Sequence, residues 1–246
     1  MKAAVYSGTR NLYKSMVTAA KSLIHNSSVD KVYFLIEDDK FPEELPPIIE
    51  TRNVSGQTYF AKDSANWKTH FTYMSLLRVC YTKLFPDFDK ILQLDVDTVV
   101  VDNIDALWDV NLDGKWFAAV DEKLSTYKPY GPKYYNIGVA MFNLKQIRQD
   151  GVDDRLIAFL NKNRVPYIDQ DAWNGLGMGK DVEIPLRYNE TVVTGFTDEP
   201  AIIHFAGFKE WQVNPRVCRR EYLKKYREMT WEEALRGKDT GRRSDV

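Results

Sequence analysis

The chain has 246 residues, 44% of them apolar, enough for one α/β domain built around a single sizeable core. Its 34 Lys and Arg nearly cancel 35 Asp and Glu, which excludes a protein drawn to nucleic acid by net charge, so any phosphate must be held by local groups. The only cysteines are Cys80 and Cys218, too few for a disulfide framework and in keeping with a reducing compartment.

Met1-Lys2 leads straight into the apolar Ala3-Ala4-Val5-Tyr6, without a basic flank or a signal-length apolar run, and no later stretch reaches membrane-spanning length. The expectation is a soluble cytoplasmic protein. Ala3 to Tyr6 predicts a buried strand and Ser7-Gly8-Thr9 a turn, after which Met16, Ala20, Leu23 and Ile24 recur at helical spacing. Val32 to Ile36 predicts a second strand, closed by Glu37-Asp38-Asp39-Lys40 and the proline-rich Phe41 to Pro47. A strand, helix, strand opening predicts a parallel sheet that binds its ligand outside the carboxyl ends of the strands.

The spacing next predicts a helix over Tyr73 to Leu84, stopping before Pro86, and a strand from Lys90 to Leu94 that runs into Asp95-Val96-Asp97. Trp116 to Val120 and Ile137 to Phe142 read as further buried strands, Asp153 to Asn161 as a helix, and Ala201 to His204 as a last core strand. Loops at 121–135 and 185–200 are left to shape a cleft. Six basic residues fall between Arg216 and Arg227, Thr230 and Glu233 have capping-box spacing, and Gly237 to Val246 reads as frayed. The division expected is a catalytic domain over 1–215 and a basic helical extension over 216–246. The extension reads as a solvated face, with Val217, Leu223, Tyr226 and Trp231 giving it the alternative of a peripheral contact at the inner face of an anionic membrane.

Two acids, Asp95 and Asp97, interrupt the otherwise apolar run from Ile91 to Val100. Buried carboxylates need partners. In an extended segment, residues two apart face one side at roughly 6.5–7 Å, near enough to share a cation if the strand bends, with Val96 toward the core. Hard oxygen ligands suit Mg²⁺ or Mn²⁺, and an added histidine tilts the choice to Mn²⁺. The plain alternative is a strand end meeting water. A sharper one is the first motif of haloacid-dehalogenase-type phosphatases, in which Asp95 would be a phosphorylated nucleophile, although that motif usually follows the first strand of its domain.

Other residues carry paired readings of the same kind. Arg78 sits amid Leu76, Leu77, Val79 and Cys80 and needs an acidic or phosphate partner. Asn136 fits either turn chemistry at a strand entry or a sugar hydroxyl, and Asp169 either a helix N-cap or a ligand contact. His204 ends the Ala201-Ile202-Ile203 run, as a core histidine or a metal ligand, while His25 and His70 have no motif around them.

Read together, Val5-Tyr6-Ser7-Gly8-Thr9-Arg10-Asn11, Leu76-Leu77-Arg78, Lys90 to Asp97, Trp108 with Trp116 to Asp121, Tyr135-Asn136-Ile137-Gly138-Val139, Asp169-Gln170-Asp171 and His204 to Trp211 resemble, in order and spacing, glycosyltransferase family 8. This is the retaining group that includes glycogenin and bacterial lipopolysaccharide galactosyltransferases. The resemblance implies a GT-A type single α/β domain, a Rossmann-like nucleotide-binding half fused to a mixed-sheet acceptor half. It implies transfer of glucose or galactose from a UDP-hexose to a hydroxyl of a glycan, glycolipid or glycoprotein. It also implies Mn²⁺ (or Mg²⁺) held by Asp95, Asp97 and His204. Donor contacts carried over are Tyr6, Ser7, Thr9, Asn11 and Arg78, the Asp95-Val96 pair, Asn136, and Gly207 with Lys209 on the diphosphate. Asp169 would bind donor-sugar hydroxyls, Gln170 would lie beneath the anomeric carbon, and Asp121 would face the acceptor. A non-catalytic nucleotide-sugar-binding domain with the same fold is the remaining alternative.

Overall fold

The computed structural model describes residues 1–206 and 220–241. In chain order it runs β1 (Ala3–Ser7), α1 (Tyr13–Asn26), β2 (Lys31–Ile36), β3 (Ile49–Asn53), a 3-10 helix over Tyr73–Cys80, one α-turn as α2 (Tyr81–Leu84), β4 (Lys90–Leu94) and β5 (Thr98–Val100). It continues through β6 (Phe117–Asp121), β7 (Tyr135–Asn143), α3 (Leu144–Asp150), α4 (Val152–Lys162), α5 (Ile168–Leu176), β8 (Asp181–Glu183), β9 (Ile202–His204), α6 (Arg220–Glu228) and α7 (Trp231–Gly241).

Seven strands form one mixed sheet in the order β3-β2-β1-β4-β7-β6-β8, and only β7 runs against its neighbours. Strand alternation divides the core between the two faces. Ala3 and Val5 of β1 pack into one cluster with Phe85, Phe142, Leu156 and Trp173, whereas Ala4 and Tyr6 pack into the other with Met16, Leu23, Phe34 and Leu92. A strand buried on both faces reads as a continuous apolar run, which is why β1, β2 and β4 stand out in the sequence. The chain builds outward from β1 to β2 and β3, then returns to place β4 on the other side of β1. Ligands of open α/β sheets bind at such a reversal, outside the carboxyl ends of the strands.

Several expectations change in detail. The segment over Tyr73–Cys80 winds as a 3-10 helix, with α geometry only over Tyr81–Leu84; three residues per turn set Arg78 in line with Ser75 and Tyr81. β9 is buried, but it pairs with β5 in a separate two-stranded sheet and does not extend the main one. β3 and β8, formed by the polar IETRN and DVE, are edge strands that the sequence pattern did not predict.

The C-terminal helices lie on the body of the protein. Thr230 and Glu233 form the expected capping box, Glu233 N donating to Thr230 Oγ1 at 3.2 Å and Thr230 N to Glu233 Oε2 at 2.7 Å. Leu223 and Tyr226 are buried with Val99, Ile203 and Phe205, so these two apolar residues are used internally and not offered to a membrane; Val217 lies outside the described residues. Among the described residues no helix is long and apolar enough to cross a bilayer. The helix expected to fray from Gly237 continues to Gly241 because α7 is held against α1: Ala234 is fully buried, and His25 lies flat against Gly237. His70 is exposed.

A Cβ on Gly237 would lie 2.0 Å from His25 Nδ1. Gly237→Leu improves intrinsic helix propensity by about 1 kcal/mol, yet the overlap should make the variant less stable by about 1–3 kcal/mol. Thermal unfolding checks this, and a raised Tm would show that α7 does not dock here.

Candidate active site

The site forms where β4 ends. Asp95, Val96 and Asp97 occupy a tight turn, closed by Thr98 N donating to Asp95 O at 3.1 Å and Thr98 Oγ1 donating to the same oxygen at 2.7 Å. The carboxylates therefore converge through a turn and not through an extended strand, and Val96 at its tip is half-buried, packing against the core cluster as expected. β5 leaves the turn and pairs antiparallel with β9, which sets Thr98 opposite His204. Phe205 N donates to Asp97 O at 2.9 Å and locks the register.

His204 Nε2 consequently lies 3.3 Å from Asp97 Oδ1 and 3.5 Å from Asp95 Oδ2. Ligand atoms of these three residues all fall within 4.8 Å of one another, a donor set of two oxygens and one nitrogen that fits a hard divalent ion with some tolerance for imidazole. Burial pushes the imidazole pKa down, but the two aspartates outweigh it and raise it to about 9.

Beneath these three side chains runs β7. The β6–β7 register slips between Ala119 and Val120, which pair with Ala140 and Asn136 respectively, and the bulge of Ile137, Gly138 and Val139 moves toward β4. Asp95 N donates to Gly138 O at 2.7 Å. A Cβ on Gly138 would stand 2.2 Å from His204 Cε1 and 2.6 Å from Asp95 Oδ2, so only glycine lets the ligands close over the backbone.

Arg78 supplies the cation on the other side. It bonds Asp95 Oδ1 and lies 3.3 Å from Asp169 Oδ2. Its pKa is held above the ordinary value because Asp169 and Asp95 overcome the opposing effect of burial. Its buried Nε has no hydrogen-bond partner among the described residues. Asp169 is buried in the first turn of α5, whose N-cap is Tyr167, and burial lifts its pKa to about 6 against the pull of Arg78. The preceding Ile168 has φ 42°, a strained conformation for a β-branched residue that turns Asp169 and Gln170 toward β7.

Gln170 Oε1 accepts from Ile137 N at 3.1 Å and its Nε2 donates to Glu122 Oε1 at 3.0 Å. Asn136 also donates to Glu122 Oε1, at 2.7 Å, and accepts from Gly138 N and Asn189 Nδ2. Glu122, Asn189 and Gln93, which supports Asp95 Oδ1 at 3.2 Å, carry no motif of their own and escape sequence reasoning. Burial raises the Glu122 pKa, opposed by the hydrogen bonds from Asn136 and Gln170.

The remaining expected site residues are less tightly grouped. Tyr6 is fully buried, its hydroxyl donating to Ala19 O, so its ring belongs to the core and only its backbone can face a ligand. Ser7 is buried, Thr9 is half-buried and donates to Asn11 Oδ1 at 2.7 Å, and Asn11 is exposed. Asp121 is buried, 3.2 Å from Lys128 Nζ, and accepts from Tyr134 N at 2.9 Å. It lines a pocket of about 410 Å³ with Lys123, Glu183, Leu186 and Thr194, which does not include Asp95, Asp97 or His204; the convergence of side chains, not cavity size, defines the site. Gly207 and Lys209 lie outside the described residues.

Residues 4–214 match the model of glycosyl transferase family 8, and the chain belongs to that family. A putative glycosyltransferase of Haemophilus influenzae is 30% identical over 190 residues, 69% of this chain and 57% of that one. Among solved structures, glycosyltransferase GlyE of Streptococcus pneumoniae superposes with a TM-score of 0.72 at 21% identity, over 97% of this chain and 63% of that one. Galactosyltransferase LgtC, solved with donor and acceptor sugar analogues, superposes with a TM-score of 0.69 at 22% identity, over 96% and 99% of the two chains. The fold is thus of the GT-A type. The chain spans 31% to 57% of the length of the first curated relatives it matches.

At neutral pH the metal-free site holds an imidazolium, since the His204 pKa of about 9 lies above the ordinary 6.5. The stability this gives is present below pH 6.5 and lost as pH rises through about 9. A divalent ion needs the Nε2 lone pair, so binding releases that proton. Mn²⁺ affinity should therefore rise roughly tenfold per pH unit between about pH 6.5 and 8. Calorimetry in buffers of different ionisation enthalpy checks this, and a pH-independent affinity would remove His204 from the ligand set. Gly138→Ala should leave the fold cooperative and abolish detectable Mn²⁺ binding in the same measurement.

Proposed function

We propose that this chain is a metal-dependent, retaining hexosyltransferase that moves glucose or galactose from a UDP-sugar to a hydroxyl of a glycan-type acceptor. The observation that carries the reading is the meeting of Asp95, Asp97 and His204 over Gly138, in a chain of glycosyl transferase family 8. That LgtC was solved with donor and acceptor sugar analogues supports a sugar donor and a sugar acceptor for this chain.

Breaking the bond between the anomeric carbon and the diphosphate leaves negative charge on phosphate and positive charge on the sugar ring. Asp95, Asp97 and His204 would hold Mn²⁺ (or Mg²⁺), which when bound supplies Lewis-acid stabilisation of the leaving diphosphate. Arg78 adds a fixed cation behind Asp95, and its orphaned Nε–H is a donor for an anionic ligand. Asp169 presents a carboxylate for sugar hydroxyls. Gln170 is neutral and tied at both polar atoms, a poor nucleophile but a fixed dipole beside the reacting carbon. We favour same-face attack, in which a departing phosphate oxygen takes the proton of the incoming hydroxyl. The Asp121 pocket and Tyr127, anchored on Asp171, are the surfaces we assign to the acceptor.

A phosphatase using Asp95 as nucleophile is disfavoured, because Arg78 and Gln93 already engage Oδ1 and His204 lies against Oδ2.

UDP-glucose and UDP-galactose, each with Mn²⁺ and with EDTA, test the proposal. Slow metal-dependent UDP release is expected, and Asp97→Ala should lower it by at least about 10³-fold, a loss of roughly 4 kcal/mol of transition-state stabilisation. Asn136→Ala, which leaves the charged ligand set in place, should cost far less, within about tenfold, as weaker use of donor and of Mn²⁺. Equal mild losses in the two variants would dismiss the metal assignment, binding without release would make the chain a nucleotide-sugar-binding module, and phosphate release from a monoester would restore the hydrolase.

A further inference from the structure

Outside the metal ligands themselves, one buried carboxylate touches both halves of the site. Glu122 is 6% exposed, in the loop after β6. Its Oε1 accepts from Asn136 Nδ2 at 2.7 Å and from Gln170 Nε2 at 3.0 Å. Asn136 Oδ1 accepts from Asn189 Nδ2 at 2.9 Å, and Asn189 Oδ1 lies 3.0 Å from His204 Nδ1. Asn136, Asn189 and His204 are all buried, at 6%, 0% and 3% exposure, so none of these bonds competes with bulk water.

The direction of every bond in this chain follows from groups that can act in only one way. A carboxylate only accepts, so Asn136 and Gln170 must turn their NH₂ groups toward Glu122. Asn136 then presents Oδ1 to Asn189, which must donate and in turn presents its own Oδ1 to His204. The imidazole keeps its proton on Nδ1, and Nε2 is the atom left to face Asp95 and Asp97. In the other direction, with its NH₂ on Glu122, Gln170 has its Oε1 on Ile137 N.

We propose that Glu122 is a positioning residue that, through Asn136 and Asn189, fixes which nitrogen His204 offers to a divalent ion and, by a direct bond, fixes the amide of Gln170. The inference rests on the metal-dependent reading above and adds a residue to it. Glu122 touches neither the ligand-binding face of His204 nor the two aspartates. The relay requires an acceptor at Oε1, and the negative charge itself is dispensable.

The test uses the full chain with Glu122→Gln, Glu122→Leu and Asn189→Leu, each checked for cooperative thermal unfolding. Mn²⁺ affinity is read by electron paramagnetic resonance, and protection of the side-chain NH₂ groups by hydrogen exchange on ¹⁵N-labelled, metal-free protein. Glu122→Leu and Asn189→Leu should each weaken Mn²⁺ binding about tenfold, and the double variant should be no weaker than the worse single one, since both break the same relay. Glu122→Gln should stay within about threefold of the wild type. The Gln170 and Asn136 NH₂ groups should lose protection in Glu122→Leu. A residue that merely filled space would lower Tm without moving Mn²⁺ affinity.

Unchanged Mn²⁺ affinity in Glu122→Leu, additive losses in the double variant, or a Glu122→Gln as weak as Glu122→Leu would overturn the proposal, the last by making the effect one of charge. If Glu122→Leu does not fold, wild-type Mn²⁺ affinity in Asn189→Leu overturns it. If the wild type itself binds no Mn²⁺, the metal reading falls, and exchange protection alone decides whether Glu122 holds Gln170 and Asn136: retained protection in Glu122→Leu counts against it, lost protection supports it.

Discussion

Thr98 and His204 face one another across the short antiparallel pair of β5 and β9, and the rest of the site depends on that pairing. Asp95 and Asp97 are fixed by the turn that enters β5, and His204 is the last residue of β9, so backbone hydrogen bonding brings residues a hundred positions apart into one cluster. Sliding either strand by one residue would turn the imidazole to the opposite face. The second anchor of β9 is the bond of His204 N to Glu190 O, which ties the strand to the 185–200 segment as well.

The cluster also has to balance charge away from water. Two aspartates, a third carboxylate on Asp169 and the buried Glu122 surround one permanent cation, Arg78, and one switchable cation, His204. Arg78 cannot lose its proton and pairs with both Asp95 and Asp169, while His204, on the proposed metal reading, would trade its proton for a metal ion. On the proposed metal reading, the groups that pair with one another in the metal-free protein are those that would reorganise when a dication enters, which would couple folding to ligand binding through a single imidazole.

Much of this was legible in the sequence, and for identifiable reasons. β1, β2, β4 and β7 are buried on both faces, so their apolar runs announce themselves, and the two acids stand out because they interrupt one of those runs. β3 and β8 lie at the sheet edges and carry alternating charges, which erases the signal. The turn of Asp95 to Asp97, closed locally by Thr98, and the 3-10 winding that carries Arg78 are details that apolar spacing does not encode. Tyr6 is a donor contact by family resemblance, yet strand alternation sends its ring into the core and leaves its backbone to face a ligand. Glu122, Asn189 and Gln93 act through amides and a carboxylate that ordinarily sit on surfaces, and only their contacts distinguish them.

Gly138 gives the site a floor made of main chain, and this limits where redesign can act. Because no side chain fits beneath Asp95 and His204, the grip they would have on an ion in the proposed reading cannot be tightened or loosened from below. Adjustment has to come laterally, from the groups that brace the ligands: Gln93 behind Asp95 and Asn189 behind His204. A library aimed at the ion preference of the proposed metal site should therefore leave the bulge in β7 alone and randomise those two braces.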